Sequence, residues 1–363
     1  MPRLPSERLR RLDELLSARS LSAVWFARPN GFAWLTGGSN IVDRREPTGV
    51  AAAGYDGEDV RVITDNIEAD RLRDEELPAS VVVESDGWYV ESLAAAVKAR
   101  SPEPAAADFD VPGFAAIDGS WLRQPLTDGD VTRYRDLAET VAGAVEATCR
   151  DASPGDTEQA LAAALRQRLA TAGVDAPVLL VGGAERAQQY RHPTPTGTAV
   201  GGYAMVIVTG ERDGLYASCT RTVAFDPPFW LTDRHAAATR VEATALAATR
   251  AVGNRGGTAA AVFDAIREAY DAVGWPDEWQ RHHQGGAAGF AGREWIATPD
   301  TSAAVTLPMA YAWNPTVEGA KSEDTVLVSA DGYETLTEGE WPTVSAAAVG
   351  YDETFERPAV LEK

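Results

Sequence analysis

The run AMVIVTGERDGLYASCTRTVAF, residues 204–225, decides the fold. Its two apolar halves are rich in β-branched residues and end at Gly or Asp, as strands do. With VLLVGG at 178–183 they predict three strands in succession. Outward from this run the period changes. In 130–150, Val131, Tyr134, Leu137, Val141 and Val145 recur every three or four residues, which builds one helix stripe. The turn SPGDT, with Thr157 as N-cap, leads into a second helix over 158–172. Helical spacing returns over 232–252 and 259–272, and strands over 310–314, 325–328 and 344–349. Helices on one side of a mainly antiparallel sheet make an α+β domain, expected to span 128–363.

A smaller α/β domain is expected over 1–127. Leu9, Leu12, Leu15 and Leu16 make an amphipathic opening helix of 6–17, and the short apolar segments 23–27, 49–53, 60–64 and 81–83 suit strands. SPEPAAADFDVPGF, 101–114, carries three prolines and little periodic signal, so it is expected to begin a linker reaching about Asp128.

Composition narrows the function. Of 363 residues, 33 are Lys or Arg and 54 Asp or Glu, a formal charge of −21 that repels a phosphate backbone and makes nucleic acid an unexpected partner. Lysine occurs only at Lys98, Lys321 and Lys363, and the carboxylate excess suits a halophilic, high-salt cytosol. Two cysteines, Cys149 and Cys219, cannot form a disulfide framework, which suggests a reducing compartment. With no apolar leader and no run of about 18 apolar residues, the chain is expected to be cytoplasmic, without membrane association.

Several ordered segments together resemble the creatinase, aminopeptidase P and prolidase family, whose catalytic domain is the pita-bread fold. SLSAVWFARPNGFAWLTGG (20–38) resembles the start of that family's N-terminal domain, SPGDTEQALAAALRQRLATAG (153–173) its helix pair, and RHPTPTG (191–197) its first histidine loop. GLYASCTRTVAF, HHQGGAAGFAGRE, AWNPTVEGAKSEDTVLV and GYETLT then follow in the family's order. The resemblance covers essentially the whole chain and implies a creatinase-like N-terminal domain before a pita-bread domain.

The resemblance also implies a site that has changed. Peptidases of the family hold two divalent ions between two Asp, one His and two Glu, whose carboxylates bridge both ions and lower the pKa of a shared water. Here Val208 aligns with the first Asp, Ser218 with the second, Gly286 with the His and Asn314 with the first Glu, which leaves Glu323 as the matching ligand. Such side chains cannot neutralise two divalent ions, so neither a dinuclear centre nor another cofactor is expected. His192 matches the histidine that assists the peptidases and serves as acid and base in creatinase, the metal-free member; its near-neutral pKa suits proton transfer. Creatinase's further glutamate is replaced by Thr220.

Other candidates come from position. Arg293 suits a substrate carboxylate, and with Glu294 should alternate across a strand. Asn314 should line the pocket while Trp313 packs behind it, and one of His282 and His283 should turn inward. Cys219, beside Ser218, should point away from the pocket. GGAAG at 285–289 lacks the Lys-Ser/Thr ending of a phosphate loop.

The expected activity is a metal-independent, creatinase-like hydrolase or lyase acting on a C–N bond of a small-molecule or short-peptide substrate, with His192 and Glu323 catalytic and Arg293, Asn314, His282, His283 and Ser218 binding. The alternatives are a non-catalytic ligand- or partner-binding protein, and an Xaa-Pro peptidase with a metal site rebuilt on His282 or His283. The family's assembly habit implies a homodimer, with the exposed-looking aromatics Trp25, Phe32 and Trp34 either available for contact or filling the small domain's core.

Overall fold

The computed structural model describes residues 6–363. Two units separate at Gln124/Pro125, three residues before the expected boundary.

In the first unit, α1 (Ser6–Arg19) buries Leu12, Leu15 and Leu16. Its sheet comprises β1 (Ala23–Phe26), β2 (Ala52–Tyr55), β3 (Val60–Asp65), β4 (Val82–Asp86), β5 (Ala105–Ala107) and β6 (Ala115–Ala116), in the order β4-β3-β2-β1-β5-β6. Helices α2 (Pro29–Thr36), α3 (Ala69–Arg71) and α4 (Leu93–Arg100) lie between strands in the sequence. The expected linker is therefore part of the sheet. Ala105–Ala107 is a buried strand parallel to β1, with Ala23 opposite Ala105 and Trp25 opposite Ala107. Three alanines carry no alternation to read, and β1 supplies the pairing that makes them a strand.

Trp25, Phe32 and Trp34 are not exposed. They are 1 %, 0 % and 1 % accessible and fill this unit's core. Gly54 on β2 makes room, since a Cβ there would stand 2.5 Å from the Trp25 ring. Phe26 meets Trp34 edge to face at 6.0 Å.

The second unit opens with α5 (Asp128–Asp151), started by a reciprocal capping box between Thr127 and Asp130. After α6 (Glu158–Thr171), the strands read from 178 onward appear as β7 (Asp175–Gly183), β8 (Tyr203–Arg212) and β9 (Leu215–Ala224), with α7 (Ala184–Gln189) between the first two. Helices α8 (Leu231–Asn254) and α9 (Ala259–Ala272) follow. The remaining strands are β10 (Gly285–Ala288), β11 (Met309–Trp313), β12 (Thr316–Val317), β13 (Ala320–Lys321), β14 (Asp324–Val328), β15 (Tyr333–Thr335), β16 (Thr343–Ala347), β17 (Thr354–Pro358) and β18 (Val360–Glu362).

Two four-stranded sheets, β18-β9-β8-β7 and β10-β11-β14-β15, form the frame. They join where β9 meets β14. The Thr220 amide donates to the Glu323 carbonyl at 3.0 Å, and the Ser218 amide to Thr325 Oγ1 at 2.8 Å. Helix α5 lies on β8 and β9 through the predicted stripe, with Tyr134, Leu137, Val141 and Val145 all buried. Burying each such side chain contributes about 1.5–3 kcal/mol, which fixes the floor beneath the β9–β14 seam. No helix among the described residues is long and apolar enough to cross a membrane.

Candidate active site

A buried carboxylate positions the loop that carries His192. Glu158, fully buried on the first turn of α6, accepts from the Gly183 amide (2.9 Å), Arg186 Nη1 (2.9 Å), and the amide and hydroxyl of Thr196 (2.9 and 2.7 Å). Next to His192, Arg191 donates to Glu278, which ties the same loop to the turn before His282. Four donors on one anion are strong, charge-assisted bonds, so the His192 backbone is held from both sides.

His282 and His283 precede β10 in a bend rather than a strand. They do not alternate across a sheet as expected; their rings stack at 4.4 Å on the same side. Gly285, which opens β10 after them, has φ of +97°, and a Cβ there would lie 2.2 Å from the Ala312 carbonyl oxygen. His282 Nε2 lies 2.9 Å from His192 Nε2, and the His192 ring centroid is 5.9 Å from that of His283. One nitrogen from each ring falls within 4.8 Å of the others. His282 is buried, with Nδ1 unpartnered, whereas His192 and His283 are exposed.

Burial disfavours the imidazolium form of all three rings, and the positive charge of Lys321 disfavours it further. His282 is pushed down to about 2, His283 to about 4 (Arg293 contributing there before Lys321), and His192 below its ordinary value. Three neutral imidazoles therefore share one corner of the site at neutral pH.

Glu323 occupies the adjoining corner. Its Oε2 lies 2.9 Å from Lys321 Nζ and accepts from Thr220 Oγ1 at 2.8 Å, while Oε1 accepts from Arg293 Nη2 at 3.0 Å. Burial alone would raise this carboxyl, but Lys321, Arg293 and Thr220 outweigh it and hold the group below the usual glutamate range. Arg293 lies in a loop after β10, and its Nη1 also donates to Ser218 Oγ at 3.3 Å.

Thr209, not Val208, faces Ser218. The β8–β9 register pairs Thr209 with Ser218 and Val208 with Cys219, and cross-strand partners share a face. The two hydroxyls lie 2.8 Å apart. Cys219 is buried with its thiol pushed up by desolvation, which disfavours the nucleophilic thiolate. Asn314, just beyond β11, is buried with Oδ1 unpartnered, while Trp313 packs against Tyr311 and donates from Nε1 to Thr249 Oγ1.

Residues 132–330 match metallopeptidase family M24, more than half the chain. The chain belongs to that family. Residues 8–123 match the creatinase/prolidase N-terminal domain, completing the two-domain arrangement of the creatinase, aminopeptidase P and prolidase group. Similar solved structures include the prolidase of Pyrococcus horikoshii OT3 (17 % identical, TM-score 0.72, covering 92 % of this chain and 99 % of that one). The X-Pro aminopeptidase of Thermotoga maritima MSB8 is 15 % identical, with TM-score 0.73 and coverage of 98 % and 99 %. The N-terminal domain of FACT complex subunit SPT16 from chickpea is 13 % identical, with TM-score 0.66 and coverage of 91 % and 95 %. No curated protein matches the chain by sequence.

The residues of this M24 chain do not fit the family's pair of divalent ions. Thr209 and Ser218 are neutral and bonded to each other, and Asn314 is a neutral amide. Glu323 already has a cation on each oxygen. At Gly286, a Cβ would stand 2.1 Å from the Trp295 carbonyl oxygen, so backbone fills the direction a histidine side chain would take. Lys321 and Arg293 supply fixed positive charge beside the retained carboxylate instead.

Lys321, Thr209 and Glu158 were missing from the predicted site. Lys321 stands two residues before Glu323, and period-2 alternation puts such residues on one face. That spacing, at one of only three lysines, was the available signal. Thr209 needed the register, and Glu158 needed the folded loop.

Proposed function

We propose that this chain hydrolyses a C–N bond of a small polar or short-peptide substrate without a dinuclear metal centre, with His192 as the proton-transfer residue. The observation that carries the reading is the neutral His192–His282 pair beside Glu323, Lys321 and Arg293, where the family's ion-binding side chains are lost. Neutral His192 accepts a proton from water as the oxygen adds to the carbon of the C–N bond. It then returns that proton to the departing nitrogen as the bond breaks, so protons balance over the cycle. Arg293 and Lys321 supply the electrostatic stabilisation of negative charge that metal ions supply elsewhere. Arg293, Asn314, Ser218 and the remaining histidines bind substrate in this reading.

Relatives of similar fold are described as prolidase and X-Pro aminopeptidase, so Xaa-Pro di- and tripeptides are the first substrates to test, then amidino and ureido compounds. Turnover should survive chelators, and His192→Gln should lower it by about 10²-fold or more with an unchanged melting temperature. Activity abolished by chelation and restored by metal would sink the metal-independent reading.

A second reading is a non-catalytic partner-binding protein. It is favoured by the loss of ligands together with a fold shared with a FACT complex subunit. Any turnover removed by His192→Gln excludes it.

A further inference from the structure

We propose that His192, His282 and His283 form a site for a single late transition-metal ion of the zinc class, and that occupancy of this site switches catalysis off. The imidazoles come from two separate segments, the α7–β8 loop and the bend before β10, yet offer nitrogens within 4.8 Å of one another. A tetrahedral zinc–imidazole site, with bonds of about 2.0–2.1 Å, places its nitrogens about 3.3 Å apart. The His192–His282 separation of 2.9 Å therefore needs to open by a few tenths of an ångström, and a nitrogen pair as far apart as 4.8 Å needs to close by about 1.5 Å. Two nitrogens at that distance share one proton at most, so at least one lone pair is available without breaking any other contact. His282 Nδ1 is buried without a partner, which shows that the surroundings do not fully satisfy this ring. Exposed His192 and His283 give an entry path and leave room for water as a fourth ligand.

The neighbours decide which ion enters. Magnesium, calcium and manganese need oxygen ligands and negative charge, but the carboxylate beside the cluster, Glu323, is engaged by Lys321, Arg293 and Thr220. A site of imidazoles beside fixed cations selects ions that bond well to neutral nitrogen: zinc, copper, nickel or cobalt. This set differs from the Asp, Asp, His, Glu, Glu arrangement, since none of the three aligns with one of those five ligands and none is a carboxylate.

The inhibitory part rests on the proposed role of His192. A metal on its imidazole removes the lone pair that accepts the proton, so an ion here acts opposite to the two ions of the peptidases.

Titrating zinc, and separately magnesium, into the full-length protein in molar KCl tests the site by calorimetry and by elemental analysis after dialysis. One equivalent of zinc should bind, and magnesium should not compete. Cobalt in place of zinc should show the visible bands of a four-coordinate ion. His283→Ala, at an exposed position, and His282→Ala should each weaken zinc at least tenfold, with melting temperatures read alongside to show that both variants fold. Absence of zinc binding, or affinity unchanged in His283→Ala, overturns the site. Turnover is read separately. One equivalent of zinc should suppress it and a chelator restore it. A rise in turnover with zinc bound by these histidines would overturn the inhibitory assignment and the His192 proton-transfer reading, while leaving the site itself standing.

Discussion

Glu323 and Asp324 are consecutive residues entering the same strand, yet they lie in different chemical worlds. Glu323 meets Lys321, Arg293 and Thr220 beside three imidazoles. Asp324 turns the other way, where its Oδ1 accepts from Arg221 Nη1 (2.9 Å) and Thr337 Oγ1 (2.8 Å) and its Oδ2 lies 3.5 Å from Arg357 Nη1. Behind it, Glu242 accepts from Arg357 (2.9 Å), the Asp324 amide (3.1 Å) and Ser322. Arg221 also reaches Glu146 and the Thr337 carbonyl. The Asp324 face spends its charges on one another and holds α5, α8 and the sheet together. On the Glu323 side, by contrast, the orphaned His282 Nδ1 and exposed imidazoles leave capacity for something else. The lesson is that a buried ion cluster reads as scaffold or as site according to whether its neighbours are fully partnered, not according to how many charges it has.

The largest expected effect breaks this comparison if it fails. Asp324→Asn leaves Arg221 and Arg357 buried with an anion removed, which should cost about 3–5 kcal/mol of unfolding free energy. Glu323→Gln should cost less, about 1–3 kcal/mol, because it strands one buried cation, Lys321, rather than two, while Arg293 keeps its bonds to Ser218 and the Gly292 carbonyl. Denaturant midpoints of both variants measure this, and equal losses would make the two faces alike.

A smaller effect is the pH response, which should have opposite sign on the two faces. His282 and His283 have folded values of about 2 and 4, below the unfolded value near 6.5. The unfolded chain thus binds more protons between those values, and their stability contribution is lost as pH falls below about 6.5. The slope is at most about 1.4 kcal/mol per pH unit for buried His282, and solvent screening makes it smaller for exposed His283. Glu242 is raised by burial, so its contribution is present at low pH and lost as pH rises through its folded value. His282→Gln should flatten the acid limb of a melting-temperature profile between pH 4 and 7 (roughly the imidazole range); an unchanged profile would remove the imidazoles from the account. His235, also held low at about 4 by burial, supplies the residual slope.

How much of this was legible follows from what alternation can carry. The strands and helices around 204–225 were readable because their side chains are large and periodic. Ala105–Ala107 was not, since its strand identity comes from β1. In the site, Ser218, Glu323 and Arg293 converge within hydrogen-bonding reach, and His192 meets His282. The stacking of His282 on His283 was hidden because the two lie before β10 rather than in it, so strand alternation does not apply to them. Thr209 was missed in favour of Val208 because one residue of register separates them, and a strand reverses face at every residue.

The smallest effect separates buried charge from surface charge. Both clusters are shielded from salt, but the −21 net charge is not. Raising KCl from about 0.1 M to about 1 M shortens the Debye length from about 10 Å to about 3 Å. The expected homodimer, if formed, should therefore strengthen with salt while both clusters keep their contribution. Because Trp25, Phe32 and Trp34 are core residues, the first unit's apolar contact surface is to be sought at exposed Ile67, Val82, Trp88, Tyr89 and Val90. Light scattering across a KCl series checks this, and a monomer persisting above molar salt refutes it.

The Trp295 carbonyl standing in the direction of a Gly286 side chain closes that position to a metal-binding residue. Carboxylates could be placed at 209, 218 and 314 by single substitutions, each onto an existing Cβ. A histidine at 286 has no space until the 290–297 loop is rebuilt, so substitutions at the ligand positions alone would not assemble the family's ion pair here. Engineering such a centre here would have to begin with the loop and only then turn to the ligands.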